Sequence, residues 1–334
     1  MGDYLITIDG GTTNTRAFLW NGRGEILRKT GEEVGVRNTA MDGHNGRLRM
    51  AVKDCLERLL EEEGIGWSDI RRIVASGMLS SDVGIAEVPH IAAPASIRDF
   101  VDNAAKVMLP DICPLPISIV PGMKNSAAPR ADEFEAMDIM RGEETESMPL
   151  IQRYGGGGPL LLVLPGSHNK FISVDAEGMI TGCVTTISGE LLSCITTGTI
   201  LANAVGKRFV SETEYDKEMV LKGSRIAQKT GLGRACFSGR ILNLFFKQDK
   251  AAIANYLLGA VCGEDVRAVL GSAALKMPER ARIVIAGKKP LSTAMADVVA
   301  DSGAFGDVAV VPDDGIPLAA LGAYLVATQM KEAQ

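Results

Sequence analysis

The sequence predicts an α/β protein in which two similar halves face each other across a cleft. Apolar runs of strand length alternate with stretches of helical period, as in a sheet covered by helices. A strand, a Gly-containing polar loop and a returning strand occur twice, and so does the turn that follows. Gly11 and Gly166 lie 155 positions apart, and the turn glycines Gly24 and Gly178 lie 154 apart. The chain has 334 residues, which is long for one hydrophobic core and suits two domains of roughly 150 residues each. We place the first at residues 1–155 and the second at residues 159–334, with the last helix able to pack back on the first.

Leu5, Ile6 and Ile8 feed the first strand, and Gly10-Gly11 breaks it where backbone amides must turn outward. Glycine lets an anion approach the backbone closely, and Thr12, Thr13, Asn14 and Thr15 add hydroxyl and amide donors at the same point. Such a loop suits a phosphate. Asp9 stands beside it, where a carboxylate can hold magnesium against phosphate oxygens, directly or through water. A plain hairpin accounts for Gly-Gly alone equally well, and the later features decide between the two.

Arg16 to Trp20 returns as a second strand, Asn21 to Gly24 turns the chain, and Glu25 to Lys29 completes a meander. Leu48, Val52, Cys55, Leu56, Leu59 and Leu60 recur at helical spacing, and Glu61 to Glu63 form the solvated end of that helix. Arg72 to Ala75 and Pro116 to Val120 read as further strands, each followed by a small-residue loop, Ser76 to Ser81 and Pro121 to Asn125. Asn125 to Asp138 has no clear period and is rich in Ala, Pro and charge, so it reads as a mobile excursion able to close over a substrate. A helix is expected from Met140, shortened by Pro149. Gly155 to Gly158 lacks the frame of a P-loop and reads as a flexible link.

The second half repeats the opening. Leu160 to Leu164 is a strand, Pro165 to Asn169 a polar loop, Lys170 to Val174 a strand, Asp175 to Gly178 a turn, and Met179 to Val184 the return. Two such units can grip one polyphosphate from opposite sides. Beyond Glu190 the chain is largely helical, with Ile241 to Phe246, Ile253 to Val261 and Val266 to Leu275 apolar-rich. Arg282 to Ala286 is a buried-type strand, and Gly287 behind it admits a flat ring such as adenine, or simply starts a helix. Val308 to Val311 gives one more strand and Ile316 to Thr328 a closing helix.

Composition excludes several classes. A formal charge of −6 and no long basic run argue against nucleic acid as a partner. With 46% hydrophobic and 23% charged residues, and apolar runs of strand length, a soluble protein without a membrane span is expected. The first residues lead straight into a strand without a secretory pattern, which points to the cytoplasm. Six scattered cysteines form no CxxC pair and there are only three histidines, so reduced thiols and no zinc site are expected.

Asp9-Gly10-Gly11-Thr12, Gly166-Ser167 and the late strand with Gly287, in that order, resemble the actin, sugar kinase and heat-shock ATPase superfamily. More narrowly, IDGGTTNTRAFLW, ASGMLSSDVG, VPG, MRGEETE, LPGSHNKF and ISGEL resemble the bacterial 2-dehydro-3-deoxygalactonokinases. The insert Asn125 to Asp138, the glycine link and the stretch YLLGAVCGEDV depart from that pattern. The resemblance implies a two-domain actin-like ATPase fold, a duplicated ribonuclease H-like architecture. It implies phosphorylation of 2-dehydro-3-deoxy-D-galactonate on its 6-hydroxyl by ATP with Mg2+, within galactonate catabolism.

Roles follow from this chemistry. Phosphoryl transfer needs positioning and charge neutralisation, which Gly10, Gly11, Thr12, Thr13, Asn14, Gly166, Ser167 and His168 can supply around the phosphates, with Gly287 at the nucleotide and Asp9 at the metal. His168 could equally cap its turn. Glu143 and Glu144 are the candidate bases, against the alternative of a solvated charge run. Setting Gly142-Glu143-Glu144 against the Gly-Asp-Gln of glycerol-kinase-like relatives puts Glu143 at the catalytic aspartate. Arg16, Lys124, Arg141 and Lys170 are the cations nearest the loops for a sugar-acid carboxylate, with Ser76, Gly77 and Met78 beside the sugar. The competing functions are a kinase for another sugar acid and a non-catalytic sugar or nucleotide sensor; a DNA-binding module of the sensor type is not expected. A homodimer is compatible with the sequence.

Overall fold

The computed structural model describes residues 3–275, 277 and 280–331. The first half runs β1 (Tyr4–Gly10), β2 (Thr15–Trp20), β3 (Ile26–Glu32), α1 (Val36–Asp42), α2 (Gly46–Glu63), β4 (Ile70–Gly77), β5 (Ile91–Ala92), α3 (Ile97–Asp102), β6 (Ala105–Val107), β7 (Ile117–Ile119), β8 (Met123–Lys124), β9 (Ile139–Met140) and α4 (Glu143–Tyr154). The second runs β10 (Leu160–Leu164), β11 (Asn169–Val174), β12 (Ile180–Thr186), α5 (Ser188–Gly198), α6 (Ala202–Val205), α7 (Lys217–Thr230), α8 (Leu232–Phe246), α9 (Lys250–Gly271), α10 (Leu291–Ser302), β13 (Arg282–Ile285) before α10, β14 (Val308–Val310) and α11 (Leu318–Gln329).

The repeat in sequence is a repeat in topology. One sheet has the order β3-β2-β1-β4-β7-β6 and the other β12-β11-β10-β13-β14. In each, an antiparallel meander is followed by a parallel neighbour of its first strand, β4 beside β1 and β13 beside β10. A small third sheet, β5-β8-β9, adjoins them.

Strand alternation assigns the layers. Leu5 of β1 and Leu160, Leu162 and Leu164 of β10 enter one shared core, while Ile6 and Ile8 pack outward against α2, and Leu161 and Val163 pack outward against the second half's helices. Met148, Leu150 and Ile151 of α4 and Ala320, Ala323 and Val326 of α11 fill the shared core between the sheets. Gly322 makes this possible, since a Cβ there would stand 1.8 Å from the Thr145 carbonyl oxygen. Trp20 stacks on Tyr324 of α11 with ring centroids 4.6 Å apart, and its indole N–H donates to Thr7 Oγ1 at 2.9 Å.

Three expectations need correction. The helix begins at Glu143, not Met140, because Met140 pairs with Met123 in the small sheet. It also runs through Pro149 to Tyr154. The carbonyl that loses its helical donor to Pro149 is that of Thr145, which lies against Gly322. The segment 125–138 is docked rather than loose. Asn125 exchanges hydrogen bonds with the Cys183 backbone at 2.8 and 2.9 Å, Asp138 accepts from Thr185 N and Oγ1, and Glu135 accepts from Ser272 Oγ at 2.7 Å. All six cysteines are free, with Cys194 exposed. Among the described residues no helix is long and apolar enough to cross a membrane.

Candidate active site

The two polar loops are built alike. In the first, Gly11 N–H donates to Asn14 O at 2.8 Å, and the Gly11 and Thr12 carbonyls accept from Val36 and Arg37 at the start of α1, at 3.2 and 3.0 Å. A trans peptide sets its N–H opposite its C=O, so the Thr12 and Thr13 amides point away from α1. Among the described residues they donate to no backbone acceptor. Gly35, just before α1, permits this, since a Cβ there would come within 2.5 Å of Gly11 O and Thr12 O.

In the second loop Glu190 N–H donates to Ser167 O at 3.1 Å, and a Cβ on Gly189 would stand 2.2 Å from Gly166 O. The same reasoning turns the His168 amide outward. Gly35 and Gly189 are 154 positions apart, so the duplication reaches a third element that the sequence reading did not use. Gly77 and Gly287 also match, as one ends and the other closely follows the parallel neighbour strand, and each packs on a loop. A Cβ on Gly77 would meet Gly10 O at 2.5 Å and one on Gly287 would meet Pro165 O at 3.2 Å. The Gly166 amide itself is engaged, donating to Asn169 Oδ1 at 2.9 Å. His168 Nε2 pairs with Glu190 Oε1 at 3.0 Å.

Four carboxyl groups gather where β1 meets the start of α4. Asp9 lies opposite Arg16 in the strand register, and burial pushes its carboxyl up against the lowering influence of Arg16. Glu146 is pushed up to about 8, first by burial and then by Asp9, Glu143 and Glu144. Glu144 is fully buried, pushed up to about 7 by burial and by Glu143, and both its oxygens accept from Gly142 N–H at 2.9 and 2.8 Å. Glu143 is partly exposed, accepts from Arg141 N–H at 3.0 Å and lies 4.0 Å from Lys170 Nζ. Glu146 is the residue sequence reasoning missed. Its three-residue spacing from Glu143 places both on one helix face, and that was the available signal.

The cations divide into engaged and free. Arg141 is half-buried and donates to Ser80 O at 2.7 Å, Ser80 Oγ at 2.6 Å and Val88 O at 3.4 Å, with His90 Nδ1 at 3.2 Å. Its donors hold the loop between Ser80 and His90. Lys170 is buried and donates to Ile139 O at 2.8 Å and Thr185 Oγ1 at 2.5 Å. The side chains of Arg16 and Lys124 make no hydrogen bond or ion pair among the described residues. Ser76 is buried, its hydroxyl directed at Ile8 O at 3.4 Å; Gly77 follows with a left-handed φ of 74°, and Met78 is half-buried.

A divalent cation fits this corner. Asp9 burdens Glu146 with negative charge, Arg16 favours the charged form of both without a hydrogen bond to either, and the threonine hydroxyls next along the loop are hard oxygen donors. Among the described residues no group of three or more His, Cys, Asp or Glu is set to hold a metal. A hard divalent cation commonly takes one or two carboxylates and completes its shell with water and phosphate oxygens.

Two sheets of matching meander topology, with α4 and α11 between them and a polar loop from each half, define the actin-like ATPase and sugar kinase class. Within that class the chain belongs to the 2-keto-3-deoxy-galactonokinase family, whose profile matches residues 9–316, and it is a sugar-acid kinase. A Sinorhizobium meliloti protein described as a 2-dehydro-3-deoxygalactonokinase shares the fold with a TM-score of 0.76 and 22% identity, over 97% of this chain and 98% of that one. The (R)-2-hydroxyglutaryl-CoA dehydratase component A of Acidaminococcus fermentans aligns with a TM-score of 0.49 and 14% identity, over 96% of each chain. No curated protein sequence matches the chain.

Proposed function

We propose that this kinase transfers the γ-phosphoryl group of ATP to the 6-hydroxyl of 2-dehydro-3-deoxy-D-galactonate, giving the 6-phosphate and ADP, in the cytoplasm and within galactonate catabolism. The observation that carries the reading is the pair of equivalent loops, each with its carbonyls tied to a helix start and its amides turned outward. Residues 1–155 would bind the sugar acid and one side of the phosphate chain, and residues 159–334 the nucleotide and the other side. Asp9 would hold Mg2+, with Glu146 beside it. When bound, the cation neutralises charge on the phosphate oxygens.

Glu143 is the base in this reading. It is the accessible carboxylate at the start of α4, whereas Glu144 is buried and turned back on Gly142. As the 6-oxygen forms its bond to phosphorus, the bond from phosphorus to the ADP oxygen breaks and the hydroxyl proton passes to Glu143. Thr12, Thr13, Ser167 and His168 donate to the phosphates. Lys124 and Arg16, whose side chains make no hydrogen bond or ion pair among the described residues, would meet the sugar-acid carboxylate, and Arg141 serves by holding the loop beside it.

The test is a coupled ADP-release assay with ATP, Mg2+ and a panel of sugar acids. Highest kcat/KM for 2-dehydro-3-deoxygalactonate is expected. A clear preference for its gluconate epimer or another acid would overturn the substrate assignment, and no turnover of any acid would overturn the reaction. A homodimer is supported only by the exposed row Phe237, Leu244, Phe245 and Phe246 on α8, and sedimentation of the purified protein decides it.

A further inference from the structure

The second loop is anchored from behind by a carboxylate that the reaction itself does not use. Asp265 of α9 is almost completely buried, and among the described residues no cation pairs with it. One of its oxygens accepts from Asn169 Nδ2 at 2.8 Å and the other from the Ser188 hydroxyl at the first residue of α5. Asn169, also fully buried, in turn accepts the Gly166 N–H on Oδ1 at 2.9 Å. The carboxylate therefore reaches both edges of the loop. Through Asn169 it grips the Gly166 amide, and through Ser188 it fixes the start of α5, where Gly189 packs on Gly166 O.

A carboxylate can only accept, so it forces the Asn169 amide into one orientation, nitrogen toward Asp265 and oxygen toward Gly166. The opposite orientation would set the Asn169 nitrogen against the Gly166 N–H. Burial of all three groups makes a mismatched donor or acceptor costly, because water cannot replace the lost partner. The first loop lacks such a device. Its Gly11 amide is satisfied within the loop by Asn14 O.

We propose that Asp265 is a positioning residue for nucleotide binding, acting through Asn169 to hold the second loop with its outward amides set for phosphate. This rests on the reading of that loop as a phosphate loop. It is a hydrogen-bond relay and has a defined polarity, so it can be rebuilt with its members exchanged. In Asn169→Asp two carboxylates face each other and the Gly166 tie is strained. Adding Asp265→Asn restores the three bonds of the relay: the new carboxylate accepts from Gly166 N–H and from the new amide, whose oxygen accepts from Ser188.

The experiment is calorimetric titration of ADP with Mg2+ into wild type, Asn169→Asp and the double variant, with KM for ATP and for the sugar acid measured in parallel. Asn169→Asp is expected to weaken ADP about tenfold or more, as one mismatched buried hydrogen bond would. The double variant should return to within about threefold of wild type. The sugar-acid KM should stay within about twofold throughout, a separation that general loss of structure would not give. An unweakened Asn169→Asp, or a double variant no better than the single, overturns the relay. Should the single variant not fold, the double decides alone, by whether both folding and ADP affinity return. A wild type that binds ADP but phosphorylates no sugar acid would sink the proposed reaction and leave the relay standing.

Discussion

At the scale of single residues, neighbours in sequence have unlike environments, and the chemistry separates accordingly. Glu143→Gln is expected to lose ~10²–10⁴-fold in kcat while still binding ATP and sugar acid, the usual contribution of a positioned base. Glu144→Gln should lose far less turnover and show its effect on stability instead. The Glu144 carboxyl is raised from 4.5 to about 7 in the folded protein. Its proton is bound in both states below pH 4.5, and between there and about pH 7 only the folded state keeps it. Stability from this group is therefore complete at low pH and declines as pH rises through that window, by ~3 kcal/mol in total. Melting temperatures taken without Mg2+ from pH 5 to 8 should fall less steeply for Glu144→Gln than for wild type, and equal slopes would refute the assignment. Lys124→Ala is expected to raise KM for the sugar acid about tenfold and leave that for ATP unchanged, since a free cation near the sugar loop has no structural duty to lose. A shift confined to ATP would move Lys124 to the phosphate side.

At the scale of elements, the loops depend on how closely a helix start can approach them. Gly189→Ala brings a methyl group within 2.2 Å of the Gly166 oxygen, and Gly35→Ala brings one within 2.5 Å of the Gly11 and Thr12 oxygens. Either the loop or the helix must yield, at a cost of ~1–3 kcal/mol for an overpacked contact. The expected result is a raised KM for ATP in both variants with an ordinary circular dichroism spectrum. Unchanged nucleotide kinetics would mean that the helix starts do not set the loops. The offset of 154 between these glycines was open to inspection in the sequence, because each lies on the same repeat as its loop. Pro149 misled for the opposite reason. A proline argues against a helix locally, and only the packing of Gly322 on the Thr145 carbonyl shows why this one is tolerated.

At the scale of the whole molecule, the two halves share one apolar core through α4 and α11 and are also latched by polar contacts. Lys170 of the second half donates to Ile139 O of the first, and Asn125 and Asp138 bind the edge of β12. Gripping one phosphate chain from two loops calls for closure about the shared helices. Small-angle scattering should show a smaller radius of gyration with ATP analogue and sugar acid together than with either alone. An unchanged radius at confirmed saturation would mean a preformed site.

The sequence by itself determined the α/β class, the duplication, the order of the loops and the family, because each is written in contiguous residues whose spacing survives in one dimension. The tertiary structure alone decided which of those residues are free to act. Arg141 and Lys170 look like available cations in the sequence, yet their donors are taken by carbonyls and hydroxyls from distant segments. Asp265 stands 96 positions from Asn169, and neither residue type announces a role until the fold buries them together. Hydrogen-bond satisfaction and burial are properties of neighbours in space, and for these residues the neighbours are remote along the chain.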